Sequence, residues 1–351
     1  MLKARYFRHI LQFKRAGGTS RGVLTEKETW YVLLEEGDSF GIGECGLFRG
    51  LSADDTPDYE AQLKKSCERV NEGLESLLDF NRFFPSIQFG FEQAFASLKQ
   101  QNPFELLPSD FTQNEVPISI NGLIWMGSLD FMQEQIQEKL AGGFNCLKLK
   151  IGALDFEKEW LLLRGIRDRF SAKELEIRVD ANGGFSPQDA LQKLERLAKL
   201  ELHSIEQPIK AQQWSEMKSL CDRSPLDIAL DEELIGLFSG EDKEEVLDTI
   251  QPQYIILKPS LVGGWSGSDE WIAAAEKRGI GWWITSALES NLGLNAIAQY
   301  TYLKNNPMPQ GLGTGGLFTN NWQSPLEVSQ GQLIYRKELS WNNDIKHHLC
   351  T

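Results

Sequence analysis

In the second part of the chain, short apolar runs alternate with amphipathic stretches, and five consecutive central runs end in a charged residue. The runs cover 117–120, 146–150, 176–180, 203–206, 227–231, 254–258, 281–285 and 310–313. Their length suits strands, and the segments between them suit helices, Lys243 to Ile250 being one of the shorter. Eight strands alternating with helices predict a (β/α) barrel. The five terminal charges are Lys150, Asp180, Glu206, Asp231 and Lys258, at steps of 30, 26, 25 and 27 residues. Each step is about one βα unit, so a barrel gathers all five at the C-terminal mouth, where barrel enzymes carry their sites. One charge at a strand end is more often a solvated terminus. Three acids between two lysines, all in register, are hard to obtain that way.

The residue types then restrict the chemistry. Three carboxylates with no histidine or thiolate make a hard, all-oxygen site, suited to Mg²⁺, or to Mn²⁺, and not to Zn²⁺. A substrate carboxylate chelated there can accept the second negative charge of an enediolate. Lys150 fits the base that removes the α-proton. Lys148 lies two residues earlier on the same strand face. It is expected to contact the carboxylate and, with the cation, to lower the pKa of Lys150. Lys258, four strands later, faces the site from across the barrel. Glu232 and Glu233 read as first-turn acids favoured by a helix dipole. Asn182 suits a turn nearly as well as a site.

Upstream, strand-like runs at Ala4 to Phe13, Thr29 to Glu35 and 41–45 flank a glycine-rich stretch at 16–22. Helical patterns follow at Asp58 to Leu78 and Ile87 to Gln100, which together predict a small α+β domain. Pro103 to Asn114 reads as a linker. The expected division is 1–110 for the α+β domain, 111–320 for the barrel, and 321–351 for a polar, tryptophan-bearing segment returning to the first domain. A net charge of -14 argues against nucleic acid or an anionic membrane as partner and otherwise reads as solubility; the small-molecule carboxylate substrate is expected from the chemistry of the three-acid site. No apolar run is long enough for a bilayer, and the N-terminus lacks a signal-peptide core. Five scattered cysteines read as reduced thiols of a cytoplasmic protein. With only four histidines, acid–base work falls to Lys, Asp or Glu. Oligomeric state is left open.

Five motifs carry a family resemblance: Leu147-Lys148-Leu149-Lys150-Ile151-Gly152, Val179-Asp180-Ala181-Asn182, Ile205-Glu206-Gln207-Pro208, Leu230-Asp231-Glu232 and Leu257-Lys258-Pro259. Together they resemble the enolase superfamily in its muconate-lactonising subgroup, in which lysine bases work beside Mg²⁺. The resemblance implies an α/β fold, a (β/α)7β modified TIM barrel with an N-terminal α+β capping domain. It implies Mg²⁺ on Asp180, Glu206 and Asp231, with Lys150 as acid/base and Lys258 as the sixth-strand lysine. It also implies that 16–22 and 43–52 are loops that close over substrate.

Thr285 to Asn291 and Gly311 to Phe318 are similar to a dehydratase branch of that family, which makes an aromatic precursor of menaquinone. That implies a lyase in which Lys150 takes the α-proton and returns it to a hydroxyl leaving in the syn sense. Ser286, Gly313 and Thr314 become candidate donors to substrate carboxylates. The alternative is a racemase or epimerase of N-acylamino acids or dipeptides, because two lysines on opposite faces serve either reaction. Dipeptide epimerases resemble one another in an eighth-strand Asp-x-Asp that holds an ammonium, and Gly311-Leu312-Gly313-Thr314 has no acid. A Schiff-base aldolase leaves the three carboxylates unexplained, and a non-catalytic binding barrel leaves the whole reactive set unexplained.

Overall fold

The computed structural model describes residues 1–19, 22–152, 154–342 and 345. Ser20 and Arg21 of the glycine-rich stretch, and His347, His348 and Cys350, lie outside the described residues. An antiparallel sheet of β1 (Lys3–Thr19), β2 (Gly22–Glu36) and β3 (Ser39–Cys45) opens the chain. The glycine-rich stretch differs from the expected loop. Both strands run on into it, with Gly17 opposite Leu24 and Gly18 opposite Val23 beyond a bulge after Gln12. Glycine is tolerated there because the hairpin meets the barrel: a Cβ on Gly18 would stand 2.4 Å from the Met126 carbonyl oxygen.

Helices α1 (Tyr59–Glu68), α2 (Leu74–Phe80) and α3 (Pro85–Leu98) cover this sheet. At Gly43 a Cβ would come 1.9 Å from the Gly90 carbonyl oxygen, so the glycine lets β3 lie directly on α3. The stretch expected to be a linker is instead packed. It contains α4 (Asp110–Gln113), Phe111 is fully buried, and Asn295 and Gln299 donate to the Phe104 carbonyl oxygen. A polar, proline-bearing composition hides these few aromatic anchors.

Seven parallel strands follow in the order β5 (Gly122–Ile124), β6 (Cys146–Lys150), β7 (Glu176–Asp180), β8 (Ser204–Glu206), β9 (Ile228–Leu230), β10 (Tyr254–Leu257) and β11 (Gly281–Ile284). The first barrel strand was expected at 117–120. That run supplies β4 (Ile118–Ser119), which pairs antiparallel with β13 (Gln332–Tyr335), itself paired with β12 (Leu326–Ser329). The true first strand is β5, hidden behind Asn121-Gly122, a dipeptide with the signature of a turn. The expected eighth strand shrinks to parallel bridges: Gln310 to Ile120 and Gly311 to Thr285. These two bridges close the curled sheet.

Helices α5 (Leu129–Ala141), α6 (Phe156–Arg167), α7 (Pro187–Ala198), α8 (Trp214–Arg223), α9 (Gly240–Ile250), α10 (Pro259–Val262), α11 (Gly264–Glu276) and α12 (Asn291–Leu303) connect the strands. Alternation fixes which side chains face inward. Leu147 and Leu149 join the large core under the helices, while Cys146, Lys148 and Lys150 share the other face of β6. Two buried acids of the N-terminal part sit on barrel helix starts, where unpaired N–H groups favour a carboxylate. Glu44 accepts from Ser290 N and Gly293 N at α12, and Glu92 from Trp265 N and Ser266 N at α11. Cys45, Cys67, Cys146 and Cys221 are buried free thiols. Among the described residues no helix is long and apolar enough to cross a membrane.

Candidate active site

Strand register assembles the charged layer. Lys150 lies opposite Asp180, and Asp180 opposite Glu206, across β6, β7 and β8. Asp231 follows β9 and Lys258 follows β10 at the same mouth. The three acids are at most 2% exposed. Lys150 Nζ donates to Asp180 Oδ2 at 2.9 Å, and Lys258 Nζ to Asp231 Oδ2 at 2.5 Å. Lys148 Nζ bridges two acids, 3.2 Å from Asp180 Oδ2 and against Glu206 Oε2. Lys148, Lys150, Asp180 and Glu206 thus form one ionic network, with the Lys258–Asp231 pair beside it.

The electrostatics follow from burial and sign. Burial alone would lower the pKa of Lys148, but Asp180, Glu206 and Asp231 outweigh it and hold the ammonium above the ordinary lysine value. Burial likewise opposes, and Asp231 with Glu206 overcomes, at Lys258. At both lysines the paired carboxylates outweigh burial. Among the acids, burial raises the carboxyl pKa, yet the lysines hold Asp180 and Asp231 below the ordinary range. Glu206 goes the other way: burial, then the neighbouring charge of Asp180, pushes it well up despite Lys148.

Three acids on successive strands form an oxygen-only donor set that fits a hard divalent cation. Glu206 Oε2 meets only the Lys148 ammonium and Oε1 has no partner although it is buried, and a buried carboxylate oxygen of this kind is costly unless a cation meets it. Among the described residues, no three His, Cys, Asp or Glu side chains stand close enough to hold an ion as they are. The Lys148 ammonium supplies the positive charge between Asp180 and Glu206.

Asn182 takes both of its expected parts. It sits at φ 44°, a turn conformation, and its Oδ1 accepts from Lys150 Nζ at 2.8 Å. Its Nδ2 donates to Glu232 Oε1, so Glu232 steadies the asparagine that steadies the lysine. Glu233 is buried and accepts from Gln207 Nε2 and Gln212 N. Both acids thus act through specific bonds, beyond the dipole role expected of them. Glu159 accepts from Gly152 N and Leu154 N, and so fixes the turn after Lys150. An isolated glutamate inside a helix gives no sequence signal for that contact.

A cavity opens on this layer. Lys148, Lys150, Lys258, Asp180 and Asn182 line one side. Ser286, Gly313 and Thr314 line the other, with Ser286 Oγ and Thr314 Oγ1 bonded to each other at 2.7 Å. Sequence reasoning did not single out Leu24, Leu123, Trp125 or Asn121, which complete the wall. Of the two expected capping segments, 43–52 contributes Phe48 and Leu51 to the lining. The hairpin reaches the lining through Leu24, opposite Gly17, and Gly17 packs on Trp125.

The model of the enolase C-terminal domain-like family matches residues 131–336, more than half of the chain. The chain belongs to the enolase superfamily. Among relatives of this superfamily chain is the o-succinylbenzoate synthase of Desulfotalea psychrophila, 52% identical over 93% of this chain and 97% of that one. The crystal structure of MenC from Desulfotalea psychrophila LSv54 superposes with a TM-score of 0.84 at 48% identity, covering 95% of this chain and 99% of that one. A dipeptide epimerase from Enterococcus faecalis, complexed with Mg and the dipeptide L-Leu-L-Tyr, has a TM-score of 0.83 at 18% identity, over 97% of this chain and 98% of that one, and shares the fold. These neighbours bear out the expected barrel enzyme with its N-terminal antiparallel strands.

Proposed function

We propose that this chain is a lyase that converts 2-succinyl-6-hydroxy-2,4-cyclohexadiene-1-carboxylate to o-succinylbenzoate, a step of menaquinone biosynthesis. The observation that carries the reading is the charge of the cavity: three lysines and a single acid, Asp180, line it. Such a wall suits a dianion and offers no partner to a substrate ammonium beyond the acid already paired with Lys148 and Lys150. The name of the 52%-identical relative agrees with it.

Asp180, Glu206 and Asp231 would hold Mg²⁺, with Mn²⁺ as a substitute. When bound, the cation supplies positive charge to the ring carboxylate and so makes the adjacent C–H more acidic. Lys150 Nζ, held by Asp180 and Asn182, takes that proton in its neutral form. The electron pair moves into the ring system and the neighbouring C–O bond breaks. Lys150 returns the same proton to the departing hydroxyl, so water leaves and the lysine is neutral again. Lys258 reaches the cavity from a strand four positions along the sheet and holds positive charge against the opposite face. Ser286, Thr314 and Gly313 bind the succinyl end. Incubation with the hydroxycyclohexadiene substrate and Mg²⁺, followed by its ultraviolet loss, tests the reading; absence of turnover above background sinks it.

The placement of Lys150 and Lys258 on one cavity also supports racemisation of N-acylamino acids as a second activity. Exchange of the α-proton with deuterated water on N-succinylamino acids is its assay.

A further inference from the structure

Lys27 of β2 is 4% exposed, and its Nζ has no hydrogen-bond partner among the described residues. A buried ammonium of this kind is costly unless an opposite charge lies near it. Lys27 stands opposite Leu11 across the hairpin, so the two side chains share one face of the sheet. Leu11 packs on Leu288, in the turn that follows β11. The next residue is Glu289, which is fully buried. Burial lowers the pKa of Lys27 and raises that of the Glu289 carboxyl, and at each the charge of the other opposes the shift. Glu44 lies beside Glu289: a Cβ on Gly293 would stand 2.8 Å from Glu289 Cβ and from Glu44 Oε2. Thr29 Oγ1, Ser290 N and Gly293 N already meet Glu44.

Glu289 ties two turns together. Its Oε2 accepts from Ala287 N at 2.7 Å, and its Oε1 from Ser260 Oγ at 2.5 Å. The first bond closes around Leu288, whose φ of 64° is a left-handed conformation that a leucine keeps only where its surroundings enforce it. Ala287 and Leu288 both line the cavity. The second bond reaches the turn after β10. Ser260 is two residues beyond Lys258, and Leu261 N donates to Lys258 O at 2.7 Å. The capping segment leans on the same clamp, since a Cβ on Gly46 would stand 2.5 Å from Ser260 Oγ and 3.0 Å from Glu289 Cγ. Lys27, Ser260 and Glu289 are not among the cavity-lining residues, so any effect on a ligand passes through the groups they hold.

We propose that Glu289 is a positioning residue for Lys258, and that Lys27 of the hairpin is its counter-charge. The pair couples the N-terminal hairpin to the lysine on the far side of the cavity. The task of Lys258 rests on the proposed function; the pairing of Lys27 with Glu289 does not.

The test uses the full chain with Mg²⁺. Glu289→Ala removes both bonds and is expected to lower kcat on the order of 10²-fold, with a smaller change in KM. Glu289→Gln keeps an acceptor for Ala287 N and a partner for Ser260 Oγ, and should lose less. In a Lys258→Ala background, Glu289→Ala should cause no further loss, either in kcat or in calorimetric binding of o-succinylbenzoate, which needs no turnover. Equal losses in both backgrounds mark a residue that only supports the fold and overturn the inference, as does wild-type kcat in Glu289→Ala. The charge pair is read without activity. Lys27→Met and Glu289→Gln should each lower the urea midpoint, and the double variant by less than their sum. Additive changes overturn the pairing. If the wild type turns over only N-succinylamino acids, the lyase reading fails and the same comparison is made on α-proton exchange with those substrates. Inactivity of the wild type on both substrates overturns the lyase reading and the task of Lys258 together, and the urea melts then decide the pair.

Discussion

Lys150 has two bonding partners, Asp180 Oδ2 and Asn182 Oδ1, and they pin its amine at the cavity wall instead of leaving it to swing on a flexible stem. Positioning of this kind is what makes a lysine useful as a base, since proton transfer needs the amine within hydrogen-bond reach of the carbon acid. An arginine there keeps the charge but cannot give up its proton. Lys150→Arg is therefore expected to reduce kcat by about 10²–10⁴-fold with little change in melting temperature, read from the ultraviolet assay and a thermal melt. Activity near the wild-type value would remove Lys150 from the chemistry. The strand-end spacing made Lys150, Asp180, Glu206, Asp231 and Lys258 visible because a βα unit has a nearly constant length. Asn121 was not visible, because before a glycine it has the appearance of a turn, and the cavity wall it joins exists only once the barrel closes.

Two acids couple elements that lie far apart in the chain. Glu92 on α3 accepts from the first turn of α11, and Glu44 on β3 from that of α12. Burial raises the Glu92 carboxyl to about 7, and that of Asp54, which accepts from Ser86, to about 6. Each folded value is above the ordinary carboxyl value, so the folded chain holds more protons between the two. Stability is therefore greatest below the unfolded value and falls as pH rises through the folded one, by at most about 1.4 kcal/mol per pH unit for each group. For Glu92 the window runs from 4.5 to about 7. Glu92→Gln removes that titration, so urea melts at pH 5, 6 and 7 should show a smaller decline than in the wild type. An equal decline would mean that Glu92 is not the group responsible. Neither acid was legible in the sequence: inside an amphipathic helix or at a strand end, a glutamate looks like any solvated charge until a second element buries it.

Across the whole molecule, an acidic chain places three lysines and one acid, Asp180, on the cavity at the barrel mouth, with Glu206 and Asp231 buried beside them. That arrangement leaves Glu206 Oε1 without a partner and keeps Lys148 and Lys258 tied to carboxylates. A divalent cation relieves both conditions, so binding it should favour the folded state. Mg²⁺ at 100 times its dissociation constant is expected to stabilise the chain by about 2.7 kcal/mol, visible as a rise in melting temperature. EDTA should abolish turnover and reverse that rise, and calorimetry with Mg²⁺ alone provides a readout independent of activity. If neither changes, the three acids are not a metal site.

By itself, the sequence determined the alternation of strands and helices and the order of charges at the strand ends, because both depend on local periodicity. The barrel class and the residues that meet at its mouth follow from those two patterns. The tertiary structure decided which segments close the barrel, replacing the run at 117–120 with Gly122–Ile124 and reducing the eighth strand to Gln310 and Gly311. It also decided that the glycine-rich stretch is a hairpin resting on Met126 and Trp125, and that Lys148 and Lys258 are held charged by the acids they face. Pairing partners, burial and the net field at a side chain arise from residues distant in sequence, and no local pattern contains them.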